Sequence, residues 1–467
     1  MVARRSVLQG LLGTLCMSEA ARAMEPTAIG AWSGILQAGS QRLRLKFDIG
    51  PEKGSLFSID QGAGPIPLEV VSLTPQAIEL KVPAIRASYR GKQTGPDRIE
   101  GEWDQGMAMP LVLLRGDAGL QAPLAETKPL DLAALKELRQ RAGAPALGAM
   151  VSWAGEAPQI WVDGERAVGS RVATSLEDRW HIGSITKSMT ATLVARLVEA
   201  KAVRWDDTVG DVLGDKISKL QPAYAHATFK HLLSHRAGFP KDIPMNEFET
   251  FEHAVDGPTR HERLRYASIA LNQNPIGEIA KRFEYANNGY IVAATMLEQK
   301  LEQDWETLLM QHVFEPLGIR SAGFGAPGSK GQLDQPAGHL PTDRPVAQLV
   351  GKDVTDNPVA VGPAGRVHLS LGDLARYLAA HRDETDFLSK DSWKTLHTPP
   401  FGGAYAMGWH VRPDQTLWHN GSNTLWYAEV LIDKRKGQAA AAVSNIANGK
   451  AAMAAGDALL RAAANRT

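Results

Sequence analysis

The chain has 467 residues and carries 51 Lys and Arg against 51 Asp and Glu, with no basic stripe or charge block. That balance speaks against nucleic acid and anionic membrane surfaces as partners, and the length allows two or three domains. The one cysteine, Cys16, falls in the leader read below, so the rest of the chain has no disulfide, thiolate metal site or cysteine nucleophile.

Arg4-Arg5 precede an apolar stretch from Val7 to Met17, and Ala21-Arg22-Ala23 follows as a small-residue cleavage pattern. Residues 1–23 therefore read as a secretory signal, with an uncleaved N-terminal anchor as the alternative. The paired arginines give it a twin-arginine character. The expectation is an exported protein, periplasmic or secreted. Without the leader's three arginines and Glu19, 48 basic and 50 acidic residues remain, a formal charge of −2. No later segment approaches the length and apolarity of a membrane span, so no integral membrane insertion is expected.

Arg42-Leu43-Arg44-Leu45-Lys46-Phe47-Asp48-Ile49 alternates polar and apolar residues, the period of a half-buried strand. Ile78, Leu80 and Val82 alternate again, and turn residues recur at Asp60–Gly64, Arg90–Lys92 and Thr94–Asp97. The spacing predicts an all-β unit over residues 26–117, a meander or small barrel. Trp32 and Trp103 frame it, placed either to plug its two ends or to meet where it closes. Residues 118–128 read as a linker, and residues 129–467 as a second, larger domain.

Asp131 is a helix N-cap, and Leu132, Leu135 and Leu138 form a helical stripe that ends at Gly143. Ala146–Trp153 and Gln159–Val162 then read as a hairpin. Next comes Trp180-His181-Ile182-Gly183-Ser184-Ile185-Thr186-Lys187, opening a helical run to Ala200. Ser184 and Lys187 stand three apart, on one face of a helix and near its N-terminus. A hydroxyl beside an amine there can be an activated nucleophile. Tyr285 and Asn287 make the chain's only Tyr-x-Asn. A tyrosine near cationic groups can have a lowered pKa and move protons, and the asparagine can orient either a substrate carbonyl or the lysine. His419-Asn420-Gly421-Ser422 precedes an apolar strand. A glycine at a strand edge admits a substrate backbone, and the Ser422 N–H is placed to serve as an oxyanion donor.

Other chemistries find little support. The chain has no Gly-x-Ser-x-Gly elbow, no His-Glu-x-x-His and no phosphate-binding Gly-x-x-x-x-Gly-Lys-Ser/Thr. His226, His231 and His235 suggest zinc only weakly, because no His-Glu-x-x-His accompanies them and His235 belongs to a signature quoted below. No metal or cofactor is expected.

These three groups, in this order, resemble the penicillin-recognising serine hydrolases, the class C β-lactamases, DD-peptidases, D-aminopeptidases and related esterases. His231-Leu232-Leu233-Ser234-His235-Arg236-Ala237-Gly238-Phe239-Pro240, Phe314–Ile319, Ala364–Val367 and Tyr405-Ala406-Met407-Gly408-Trp409 support the likeness, which covers about residues 130–463. It implies an α+β fold: an antiparallel sheet flanked by helices, a helical subdomain beside it, and the small all-β domain in front. It implies that Ser184 is the nucleophile and that Lys187 and Tyr285 share the base role. Asn287, His419, Asn420 and Gly421 would bind substrate, and the backbone N–H groups of Ser184 and Ser422 would form the oxyanion hole. The sequence departs from the β-lactamase pattern at His419, where those enzymes carry lysine. The segment from Asn272 to Arg282 also lacks the Pro-Gly turn usual before Tyr-x-Asn. The expected partner is a small ester or a short D-amino-acid peptide. A β-lactamase is the second reading, and a β-lactam- or peptide-binding protein without turnover is the third.

Overall fold

The alternation of Arg42–Ile49 buries Leu45, Phe47 and Ile49 on one side of a strand and turns charged residues outward. The same rule builds eight antiparallel strands: β1 (Gly30–Ala38), β2 (Gln41–Ile49), β3 (Lys53–Ser58), β4 (Ala63–Thr74), β5 (Ala77–Val82), β6 (Ala87–Gly95), β7 (Arg98–Asp104) and β8 (Ala108–Arg115). They close into a barrel through β1 and β8, where Trp32 pairs with Arg115. The Arg115 guanidinium lies 4.3 Å over the Trp32 ring at that seam. Trp103 instead meets Phe47 edge-on inside the barrel, with ring centroids 6.1 Å apart. The computed structural model describes residues 28–60, 63–121, 128–254 and 257–465. The expected leader lies outside the described residues.

The start of the expected linker is structured. Ala118–Gln121 forms a 3-10 turn against β1, and the Gly119 N–H donates to Ser33 Oγ at 3.0 Å. The barrel unit thus reaches Gln121.

Helix α1 (Leu132–Ala142) begins where Asp131 accepts from the Ala134 N–H at 2.7 Å and ends at Gly143, whose φ is +64°. The hairpin follows as β9 (Ala146–Trp153) and β10 (Gln159–Gly164). Short strands β11 (Arg179–His181), β12 (Gly323–Phe324) and β15 (Val367–Ser370) form one small sheet, and β13 (Gly338–Leu340) with β14 (Val346–Gln348) another. Strands β16 (His410–Val411), β17 (Leu417–Ser422), β18 (Tyr427–Asp433) and β19 (Gln438–Ser444) join the hairpin in a six-stranded sheet of order β10-β9-β19-β18-β17-β16.

Both faces of this sheet are covered, so its central strands β9, β18 and β19 are buried along their whole length and mostly apolar rather than alternating. Leu147, Val151 and Leu431 pack with α1 and the closing helix Gly449–Ala463. Met150, Val430 and Val443 pack on the other side, against the helix Thr186–Glu199 and its neighbours. Burying each such Leu, Val or Met contributes about 1.5–3 kcal/mol. Helix α2 (Thr186–Glu199) is buried over most of its length between this sheet and a helical subdomain that includes Arg260–Asn272 and Asn287–Leu301. Within that subdomain the fully buried Arg263 is held by Glu298 and Glu306, each at 2.6 Å.

The barrel sits on the α1 face of the sheet, towards its β17 end. Its β1–β2 turn drives Gly39 against Gly456 of the closing helix, where a Cβ on Gly456 would come within 2.1 Å of the Gly39 carbonyl carbon. Ser40 donates from both its N–H and its hydroxyl to the buried carboxylate of Glu429, at 2.9 and 2.5 Å. Trp418 Nε1 donates to the same carboxylate at 2.5 Å.

Candidate active site

Ser184 does not lie within α2. It sits in the 3-10 turn Gly183–Ile185 that joins β11 to the helix. The turn still serves the expected pairing, because i and i+3 eclipse in 3-10 geometry. Lys187 Nζ lies 2.9 Å from Ser184 Oγ. The backbone is forced into this shape by close packing on β17. Gly183 has φ +51°, and a Cβ there would lie 2.3 Å from Ser422 N. A Cβ on Gly421 would lie 2.4 Å from Ser184 N and 2.1 Å from the Ile182 carbonyl oxygen. The two expected oxyanion donors, Ser184 N–H and Ser422 N–H, therefore flank one backbone-on-backbone contact.

Lys187 is fully buried, and burial lowers its pKa to about 7, against a raising contribution from Asp242. Its other two partners are Asn287 Oδ1 at 2.8 Å and the Ala364 carbonyl at 2.7 Å. Both oxygens only accept. The Asn287 amide is fixed in that orientation because its Nδ2 donates to Asp242 Oδ1 at 2.7 Å. A neutral amine has two N–H bonds and one lone pair. With the two N–H bonds spent on Asn287 and Ala364, the lone pair faces the Ser184 hydroxyl. Of the two expected roles for Asn287, the structure shows the orienting of the lysine.

Tyr285 faces the Ser184 side chain, and its ring centroid lies 4.9 Å from Lys187 Nζ. Its pKa is not lowered as expected. Burial pushes it well up, and only the Ser184 hydroxyl opposes that. The physical reason is that neither neighbour supplies a firm positive charge. Lys187 holds its proton weakly, and His419 is driven well below the ordinary histidine range by burial, His410 and Lys187. Tyr285 stays a protonated phenol. His235 packs 4.3 Å from its ring and accepts the Ala286 N–H on Nδ1 at 3.0 Å. His235 is thus a support behind the site. His231 is elsewhere engaged, closing a capping box with Thr228.

His419 is buried beside Tyr285, ring centroids 6.3 Å apart. Its Nδ1 lies 2.6 Å from the Asn420 carbonyl, an acceptor, so Nδ1 carries the hydrogen. Nε2 then accepts from the Tyr405 hydroxyl at 3.0 Å. A neutral imidazole engaged at both nitrogens offers no cation to a substrate. Asn420 departs from its expected role. Alternation along β17 puts His419 and Gly421 on the Ser184 face and turns Asn420 to the opposite face, where it lies 3.5 Å from the Tyr427 hydroxyl beside Glu429. The missing Pro-Gly turn before Tyr285 is replaced by a loop in which Ala280 takes φ +65° and donates its N–H to the Arg236 carbonyl at 2.8 Å.

Four groups were not singled out from sequence: Asp242, the Ala364 carbonyl, Tyr405 and His410. Ala364 and Tyr405 stand inside stretches that support the family likeness, which was their only signal. Asp242 follows Pro240 by two residues, and His410 follows Trp409 by one, with no pattern of their own. Among the described residues no cluster of three or more His, Cys, Asp or Glu side chains is placed to hold a metal ion, and no helix is long and apolar enough to cross a membrane.

The family model for beta-lactamase matches residues 134–465. Penicillin-binding protein 4 of Amycolatopsis lactamdurans is 27% identical over 223 residues, covering 46% of this chain and 54% of that protein. Protein flp of Staphylococcus aureus is 22% identical over 291 residues, covering 61% of this chain and 56% of its own length. The chain thus spans about half the length of the curated relatives it matches. Among solved structures, the octameric penicillin-binding protein homologue from Pyrococcus abyssi superposes with a TM-score of 0.57 at 23% identity, over 71% of this chain and 77% of that one. The D-amino acid amidase from Ochrobactrum anthropi SV3 gives 0.58 at 20% identity, over 72% and 97%. These likenesses establish the β-lactamase/transpeptidase-like fold.

Proposed function

The chain belongs to the beta-lactamase family, and on that premise we propose that it is a serine hydrolase that opens an ester or amide through an acyl-enzyme on Ser184. The observation that carries this reading is the buried Lys187, its pKa lowered to about 7, with Nζ 2.9 Å from Ser184 Oγ. Ser184 Oγ attacks the carbonyl carbon while Lys187 takes its proton. Charge then develops on the carbonyl oxygen between the N–H groups of Ser184 and Ser422. Each such donor is worth roughly 3 kcal/mol to the transition state. Tyr285, kept protonated, gives its hydrogen to the leaving group and recovers one from Lys187. Water releases the acyl group by the same steps in reverse order.

The substrate class we favour is a short ester or a D-amino-acid amide or peptide. Asp242 places a carboxylate beside Asn287, the sign needed by a substrate ammonium. His419 supplies no cation next to Gly421, which disfavours efficient β-lactam hydrolysis, where a carboxylate must be held at that point. We also propose export for the protein, on the arginine-led leader. A hydrolysis panel tests the function: p-nitrophenyl acetate, D-alanine amide, a D-Ala-D-Ala peptide and nitrocefin. Turnover of an ester or D-amino-acid substrate well above nitrocefin supports the reading. Nitrocefin as the best substrate overturns the ranking, and a single stoichiometric burst without turnover makes the protein a binder.

A further inference from the structure

A groove of about 910 Å³ lies where the barrel meets the catalytic domain. It runs past the edge strand β16, from β2 of the barrel to the loop before Tyr285. Three arginines line it: Arg42 from the barrel, and Arg236 and Arg412 from the catalytic domain. Each is half-buried, and none forms an ion pair among the described residues. Arg42 Nε is buried with no hydrogen-bond partner. Arg236 spends its two terminal nitrogens on the Lys281 and Gly402 carbonyls, and Arg412 donates to Ser40 Oγ at 3.2 Å. The one carboxylate in the lining, Asp60, is already bridged to Arg44 at 2.6 Å. Glu429 and Asp414 act on Arg412, and Asp457 on Arg42, only through space. Three guanidinium groups thus converge on one groove with no counter-charge in contact. Burying positive charge in this way is costly unless an anion completes it.

The groove lies next to the Ser184 site, on the side of Tyr285. Phe283 and Tyr405 line it. Tyr405 stacks edge-on to Tyr285 with centroids 6.2 Å apart and holds His419. On the reading above, Tyr285 protonates the leaving group, so this is the leaving-group side. We propose that the groove binds a carboxylate carried by the leaving group of the Ser184 substrate, away from the scissile bond. The barrel is then part of the substrate site, because Arg42 belongs to it. Arginine suits the task, since its planar fork matches a carboxylate with two parallel hydrogen bonds.

The inference rests on the hydrolase reading, and the test separates the two. Aryl acetates are compared whose phenol bears a para chain of increasing length, ending in a carboxylate or in the matching carboxamide. Hydrolysis by wild-type protein is expected to favour the carboxylate about ten-fold in kcat/KM at the lengths that reach the groove, chiefly through KM. Arg42→Gln, and more fully Arg42→Gln with Arg236→Gln, should bring the carboxylate-to-carboxamide ratio towards one, while Arg42→Lys keeps part of it. Arg42 stands on the barrel, so the single variant still reads out if the double variant fails to fold. A wild-type ratio near one at every length, with Ser184 labelled by a fluorophosphonate, overturns the groove alone. A preference that survives in the Arg42→Gln variants overturns it as well. No turnover of any aryl acetate together with no labelling overturns the hydrolase reading and the groove with it.

Discussion

At the scale of residues, the site depends on how one amine is kept from its proton. Lys187 is buried among two fixed acceptors and a hydroxyl, and its pKa is lowered to about 7 mainly by burial. Only the neutral amine can take the Ser184 proton. Below about pH 7 the ammonium form dominates, so kcat/KM for a neutral ester should fall about ten-fold per pH unit there and level off above it. A pH–rate profile checks this. Half-maximal activity near pH 10 contradicts it, because that is the behaviour of an unperturbed lysine. His419 adds no limb near its ordinary pKa, since burial, with smaller contributions from His410 and Lys187, lowers it well below that range. Tyr285 likewise stays protonated through neutral pH.

At the scale of elements, the decisive contact is between the Gly183–Ile185 turn and β17. Neither backbone leaves room for a methyl group at Gly183 or Gly421. Strand β17 is fixed from its far side by Trp418, whose indole shares the Glu429 carboxylate with Ser40 of the barrel. The element that carries the second oxyanion donor is therefore held on both faces. Gly421→Ala must push β17 away from Ser184 N. Such overpacking costs about 1–3 kcal/mol of stability. Displacing one donor should lower kcat by about 10²-fold. Thermal unfolding and ester kinetics on the purified variant check both numbers. Wild-type kcat in Gly421→Ala contradicts the placement of the oxyanion hole.

At the scale of the whole molecule, what could be read from sequence was what is local. Period-two alternation marked β2, the Asp131 cap and Gly143 marked α1, and the Ser184–Lys187 spacing survived the change from helix to 3-10 turn because both geometries align i with i+3. The same period of two, applied to β17, separates Asn420 from His419 and Gly421, yet motif likeness had grouped all three. The remainder is long-range. Asn287 reaches Lys187 across 100 residues, and Ser40 reaches Glu429 across 389. Neither distance leaves a mark in local pattern. The lowering of Lys187 and raising of Tyr285 likewise come from burial by several elements at once, which residue spacing does not encode. The whole assembly nevertheless converges on one atom, Ser184 Oγ. The most direct measurement is intact-mass and peptide mass spectrometry after exposure to a fluorophosphonate. One adduct per chain, located on Ser184 and lost in Ser184→Ala, is the expected result. An adduct on another residue, or one that persists in Ser184→Ala, contradicts the assignment.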